Sequence, residues 1–156
     1  MKKTNAARLL DAVEINYELA EYVVDENDLS AITLAKKIGQ NIEQIFKTLV
    51  LRGDKTGVLV AVIPGNAEVD LKKAAKVSGN KSCVMVHQTE LLGLTGYIRG
   101  GCSPLGMKKS YPIYIHETCL LFDYIFVSAG QRGLQLKLNP EDLIRITGAV
   151  ICELTE

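Results

Sequence analysis

Three short stretches of this chain combine residue types that could bind or polarise a substrate. The first is Ile45-Phe46-Lys47-Thr48-Leu49, where one lysine stands between apolar neighbours on both sides. At a helix-to-strand junction, such a lysine either snorkels to water and complements the helix end or points into a cleft. There it would anchor phosphate or carboxylate, or serve as an amine of lowered pKa. The second is Gly96-Tyr97-Ile98-Arg99-Gly100-Gly101-Cys102-Ser103-Pro104-Leu105-Gly106. Four glycines and a proline in eleven residues are too many for an element interior. They suggest either an ordinary turn or a loop whose bare backbone comes close to a ligand and offers N–H groups to an anion. The third is Val127-Ser128-Ala129-Gly130-Gln131-Arg132-Gly133, a strand ending in small residues and an arginine. It reads as a pocket rim or as a hairpin turn with a solvated Arg132.

Several chemistries are excluded or left without support. The glycine loop fits neither the Walker A pattern nor the dinucleotide fingerprint. Ser128 has no nucleophile elbow around it, and Cys102 has no assignable histidine to activate it. Cys83, Cys102, Cys119 and Cys152 are widely spaced, and His87 and His116 do not flank them at ligand spacing. We therefore expect no metal and no cofactor. Lys72, Lys73, Lys76, Lys81, Lys108 and Lys109 could form an electrostatic footprint for a phosphate backbone, or simply a solvated helix face and a turn. The 18 basic and 18 acidic residues cancel, against binding of nucleic acid by bulk charge. Locally they do not: residues 70–111 carry seven Lys/Arg against two Asp/Glu, and residues 1–30 carry three against seven. A basic middle between acidic ends could still meet phosphate.

The elements that must position these residues follow from periodicity. Ala6, Leu9, Leu10 and Val13 recur at helical spacing, with Thr4 or Asn5 as cap, after a basic Met1-Lys2-Lys3 start that leads into no apolar signal core. Ile15, Tyr17 and Leu19 alternate as a strand. Ala31, Leu34, Ala35 and Ile38 form a second helical stripe ended by Gly39, and Asn41 with Gln44 suggests a capping box for a third, short helix. Residues 48–51 and 58–63 predict a β-hairpin around Arg52–Gly57. Asp70 caps a helix with Leu71, Ala74 and Ala75 inward and Lys72, Lys73 and Lys76 outward, closed by Gly79. Strands are expected at 83–86, 113–115, 124–128, 134–138 and 149–154, and Asn139-Pro140 starts a last helix with Leu143, Ile144 and Ile146 inward. Regular βαβα alternation is absent. The expectation is one α+β domain over residues 1–156: a mixed, mostly antiparallel, barrel-like sheet of about seven strands flanked by short helices. The longest apolar run, Val58–Ile63, is far short of the ~20 residues a membrane span needs, so a soluble intracellular protein is expected.

In order, these segments resemble the YbaK family of Cys-tRNA(Pro) deacylases, freestanding relatives of the editing domain inserted in bacterial prolyl-tRNA synthetase. The carriers are Phe46-Lys47-Thr48-Leu49, Asp70-Leu71-Lys72-Lys73-Ala74-Ala75, the glycine loop followed by Lys108-Lys109, and Val127–Leu134. The resemblance runs over almost the full length. It implies a barrel-like mixed sheet, cytoplasmic location, and trans-editing of tRNA(Pro) wrongly charged with cysteine, with Cys-tRNA(Cys) as a further substrate. It also implies chemistry in which the cysteinyl thiol attacks its own ester, which is net hydrolysis or, if a cyclic thiolactone is the first product, formally a lyase step. Prolyl-tRNA synthetase is the implied partner; homo-oligomerisation stays undecided.

By this resemblance Lys47 orients the aminoacyl end or the terminal ribose and phosphate, and Gly100 and Gly101 offer backbone groups to the substrate amine and carbonyl. Tyr22, Thr48, Ser103, Ser128 and Arg132 line the site, and Lys72, Lys73, Lys76, Lys108 and Lys109 are the candidates for tRNA contact. Two positions depart from the family pattern: Gln135 where an aspartate is usual, and Leu29 near a usual phenylalanine. The alternatives are a deacylase of Ala-tRNA(Pro) or another mischarged tRNA using activated water, or a non-catalytic module that binds a tRNA end or a partner.

Overall fold

Helix ends fall where short polar side chains and glycines allow the backbone to be satisfied. In a computed structural model describing residues 3–156, Thr4 accepts from Ala7 N–H to open α1 (Asn5–Ala12). Ser30 accepts from Thr33 N–H to open α2 (Ala31–Ile38), which Gly39 closes in the left-handed region at φ 66°. Met1 and Lys2 of the basic start lie outside the described residues. Between these helices runs β1 (Tyr17–Glu21). The buried face of α1 is Ala6, Ala7 and Leu10; the expected stripe is corrected at Leu9 and Val13, which are 38% and 54% exposed. Val13 is the C-cap, past the last turn, so it has no helix face to share. The expected capping box at Asn41 is half formed. Asn41 accepts from Glu43 N–H, over a single 3₁₀ turn (Ile42–Gln44), but the Gln44 amide reaches across to the Tyr124 carbonyl at 2.9 Å.

The hairpin forms as β2 (Phe46–Gly53) and β3 (Gly57–Pro64), paired from Phe46↔Pro64 to Gly53↔Gly57. Its loop is fixed from outside. Asn80 Oδ1 accepts from Lys55 and Thr56 N–H, and its Nδ2 donates to Thr56 and Ser78 hydroxyls. Next come α3 (Leu71–Ser78), capped by Asp70, β4 (Cys83–Met85) and α4 (Gln88–Thr95). The helix α4 was not expected: Leu91, Leu92 and Leu94 around Gly93 give little periodicity. Then β5 (Ile113–His116), a 3₁₀ stretch (Glu117–Leu121), β6 (Ile125–Ser128), β7 (Leu134–Leu138), α5 (Pro140–Thr147) and β8 (Val150–Cys152) complete the chain.

The eight strands form two sheets and not one closed barrel: β1-β7-β6, and β4-β2-β3-β5-β8. Four pairings are antiparallel, while β3·β5 and β5·β8 are parallel. The α+β class with a mixed, mostly antiparallel arrangement stands; the strand count is eight in place of about seven. The main core lies between the sheets, where Val60, Val62, Ile115, Val127, Leu136 and Leu10 are at most 1% exposed. Burying each such side chain contributes about 1.5–3 kcal/mol relative to exposure. A second core packs α3 on the outer face of the hairpin through Leu51, Leu59, Ala61 and Ile63 against Ala74 and Ala75. A third sets α2 against the outer face of the smaller sheet through Ala35, Ile45 and Phe126. No helix of the described residues is long and apolar enough to cross a membrane.

Candidate active site

The third core continues into a cleft, and strand register decides which side chains reach it. Successive residues of a strand point to opposite faces. Gln135 pairs with Ala20 on one side and Ser128 on the other, so these three share a face with Phe126. Tyr22 extends β1 by donating its N–H to Gly133 O at 3.0 Å, and stands two residues beyond Ala20 on that face. A parallel bridge joins Ile45 to Phe126. Two residues further along each strand, Lys47 and Ser128 come side by side on this same face. Register therefore brings Lys47, Ser128, Gln135 and Tyr22 into one neighbourhood.

Tyr22 also lines a cleft, together with Leu29, Leu34, Asp25, Asp28 and Gly100. Gly100 sits at φ 83°, and a Cβ there would meet Arg132 Nε at 3.3 Å and Leu29 Cδ1 at 3.4 Å. Only glycine combines that backbone with that gap. Gly101 is beneath it, buried, and a Cβ there would lie 3.1 Å from both Arg132 N and Gln131 Cα. Its N–H donates to Ile98 O at 2.9 Å, so it is already spent in a turn. The Gly100 N–H has no acceptor among the described residues, which leaves Gly100 as the glycine with a backbone donor to offer.

The polar groups here are unevenly satisfied. Gln135 is 3% exposed, and its Oε1 has no hydrogen-bond partner. A buried orphan acceptor costs about 1–3 kcal/mol, which a donor from water or a bound molecule would relieve. Lys47 is half-buried and forms no ion pair among the described residues. Ser128 Oγ accepts from Gly130 N–H at 3.2 Å and shapes the turn. By contrast Asp28 accepts from Thr33 hydroxyl and Ser30 N–H, and those bonds lower its carboxyl to about 2.

Three expected site residues stand elsewhere. Thr48 pairs with Val62 and alternation turns it to the inter-sheet core, where its Oγ1 is buried without a partner. Ser103 is fully buried, and its hydroxyl accepts from Leu105 N–H at 3.2 Å inside the loop. Lys73, expected outward, reaches back: its Nζ donates to Glu153 and to Thr155 O, both at 2.7 Å. Lys72, Lys76, Lys108 and Lys109 remain exposed. Arg132 is at the rim, donating to Arg99 O at 2.8 Å and to Glu26 at 2.7 Å. Sequence reading passed over Asp25, Glu26 and Asp28 as a loop; the signal available was a dense acidic run beside a strand end. Burial disfavours the thiolate of every cysteine: it raises Cys83 and pushes Cys102 up to about 12 and Cys119 and Cys152 up to about 11.

Comparison with known proteins bears on the family and the fold. Residues 25–146 match the model of the aminoacyl-tRNA editing domain. A protein of Enterococcus faecalis, named "Putative Cys-tRNA(Pro)/Cys-tRNA(Cys) deacylase EbsC", is 49% identical over 99% of this chain and 94% of its own length. The uncharacterised YwhH of Bacillus subtilis is 31% identical over 77% of this chain and 78% of its own. Among solved structures, one described as "a putative trans-editing enzyme for prolyl tRNA synthetase" superposes with a TM-score of 0.84 at 26% identity, covering 100% of this chain and 99% of that one. The hypothetical protein APE2540, at 22% identity and a TM-score of 0.89 over 98% of this chain and 100% of that one, shares the fold.

Proposed function

The chain belongs to the aminoacyl-tRNA editing domain family, and from that premise we propose that it cleaves the ester of mischarged Cys-tRNA(Pro), with Cys-tRNA(Cys) as a further substrate. The need for such an editor is physical: a synthetase pocket discriminates near-isosteres such as cysteine and proline by only ~1–3 kcal/mol. The observation that carries the reading is one sheet face that holds Lys47 without an ion pair and Gln135 Oε1 without a partner among the described residues, with Tyr22 shared between that face and the cleft that Gly100 lines.

A site of that kind fits substrate-assisted chemistry. The cysteinyl thiol loses its proton to solvent, and a free thiol of pKa about 8.5 is partly ionised near neutrality. The thiolate then attacks its own ester carbonyl. The new C–S bond closes a four-membered thiolactone, the C–O bond to ribose breaks, and the ribose oxygen takes a proton from water. Water later opens the thiolactone to cysteine. Holding sulfur against carbonyl recruits intramolecular effective molarity. Gly100 N–H would donate to the developing oxyanion, Lys47 would hold the aminoacyl or ribose-phosphate end, and Gln135 Oε1 would accept from the substrate ammonium. Residues 1–156 act as one editing domain in the cytoplasm, and the near-neutral charge makes assistance from prolyl-tRNA synthetase part of the proposal.

The test follows the loss of ester from Cys-tRNA(Pro), Ala-tRNA(Pro) and Pro-tRNA(Pro). Loss of the cysteinyl species alone is expected. Loss of the alanyl species would move the mechanism to activated water, and tRNA binding with no ester lost would leave a binding module.

A further inference from the structure

Three loops around the cleft meet on one guanidinium. Arg132, in the β6–β7 turn, donates Nε to Arg99 O of the glycine loop at 2.8 Å and Nη1 to Glu26 of the β1–α2 loop at 2.7 Å. Gly100 lies between Arg132 and Leu29. The adjoining cleft of Tyr22, Leu29 and Gly100 holds about 10 Å³, scarcely room for one water.

The two bonds of Arg132 differ in kind. The bond to Arg99 O sets the plane of the guanidinium. The bond to Glu26 occupies its outer edge with a carboxylate that is 71% exposed, and exposed ion pairs are weak and readily exchanged. In an aminoacyl-tRNA the α-carboxylate is consumed in the ester, so the anions nearest the reacting centre are phosphodiesters. Arginine presents a fixed fork suited to bidentate phosphate recognition. The same loop carries Asp25, Glu26 and Asp28; all three repel phosphate, and displacement of Glu26 removes the one that occupies Arg132. Other cations near the rim are Arg99 in the glycine loop and Lys37, whose Nζ donates to Val23 O.

We propose that Arg132 is a binding site for a phosphodiester of the 3′-terminal nucleotides, kept closed by Glu26 until that phosphate displaces the carboxylate. The inference rests on the deacylase reading for its choice of ligand. Arrival of the tRNA end and release of Glu26 from Arg132 then become one event.

The probe is an uncharged RNA hairpin with a single-stranded CCA end, titrated against the intact protein at several salt concentrations. Glu26→Gln should bind about three- to tenfold more tightly, since the gate no longer competes. Arg132→Gln should bind about tenfold more weakly and lower the log–log salt slope by about 0.7, one single-strand phosphate contact. In the Arg132→Gln background, Glu26→Gln should have no effect, and a hairpin lacking CCA should lose the gain. Unchanged affinity of Glu26→Gln, a gain that survives without Arg132, or an undiminished slope would each overturn the proposal. Glu26 is exposed, so its variant keeps the test valid even if Arg132→Gln misfolds. Binding of uncharged RNA needs no ester cleavage, so this result stands apart from success or failure of the deacylation assay.

Discussion

Two polar clusters of this molecule differ in how far their groups are satisfied, and only one is complete. On the α3–β8 side, Lys73 donates to Glu153 and Thr155 O. His116 Nδ1 meets Thr118 Oγ1 at 3.0 Å and its Nε2 meets Thr155 Oγ1 at 3.2 Å. The Val69↔Thr155 bridge closes the arrangement over the fully buried Leu154. Every group there has a partner, and the result is a clamp on the C-terminal residues. On the cleft side Gln135 Oε1 has none, Lys47 has no ion pair, and Gly100 N–H is free among the described residues. A satisfied cluster stabilises the chain by itself; an incomplete one carries a cost that a ligand can relieve.

The contrast breaks down if cleft substitutions act through stability or clamp substitutions act through activity. The largest effect is expected from Lys47→Ala, with a loss of roughly a hundredfold or more in deacylation, on the scale of removing one transition-state contact, and an unchanged melting temperature. Equal losses of both would make Lys47 structural. Gly101→Ala comes next. Its Cβ would press on the Gln131–Arg132 backbone at 3.1 Å, costing about 1–3 kcal/mol as overpacking and lowering activity as the Arg132 turn shifts; denaturant melts read the first and ester loss the second. Gln135→Leu sharpens the comparison most. Removing the orphan acceptor should hold stability level or raise it by up to ~1 kcal/mol while activity falls, and a destabilised variant would place a partner on Oε1 that the cleft lacks. Lys73→Ala should do the reverse, lowering the melting temperature slightly with deacylation intact.

The smallest effect is on pH. Burial lowers the His116 pKa below its ordinary 6.5. The unfolded chain then binds that proton more readily, so the clamp's contribution is full above about pH 6.5 and declines as pH falls through the folded value. Thermal melts between pH 7.5 and 5 should show a loss that His116→Gln removes. An identical pH profile in the variant would deny His116 this role.

Much of the fold was legible because its signals are local. Asp70, Asn139 and Gly39 mark helix ends by their own chemistry, and 134–138 alternates as a strand must. What escaped was non-local. The apolar spacing of Gln88–Thr95 does not announce α4, whose local signals are only Glu90 at its start and Gly96 at its end, and nothing in Leu9 or Val13 says that they stay exposed. The site divides in the same way. Lys47, Gly100 and Ser128 stand out by type and spacing and Gln135 through the family resemblance, yet only register shows that Lys47, Ser128 and Gln135 share a face. Thr48 fails for the same reason: one residue from Lys47, alternation turns it into the core. The engagement of Lys73 by Glu153, 80 residues away, and of Arg132 by Glu26, 106 residues away, has no sequence signature.

The central claim is that the cleft positions a substrate that supplies its own nucleophile. The direct measurement is the single-turnover rate of ester loss from Cys-tRNA(Pro) against tRNA(Pro) carrying S-methylcysteine, with the protein in excess. Methylation removes the thiolate and leaves the amine, the ester and the tRNA untouched. A fall of about a hundredfold or more is expected, since the intramolecular advantage goes with the thiol. An undiminished rate would contradict the account and assign the attack to water.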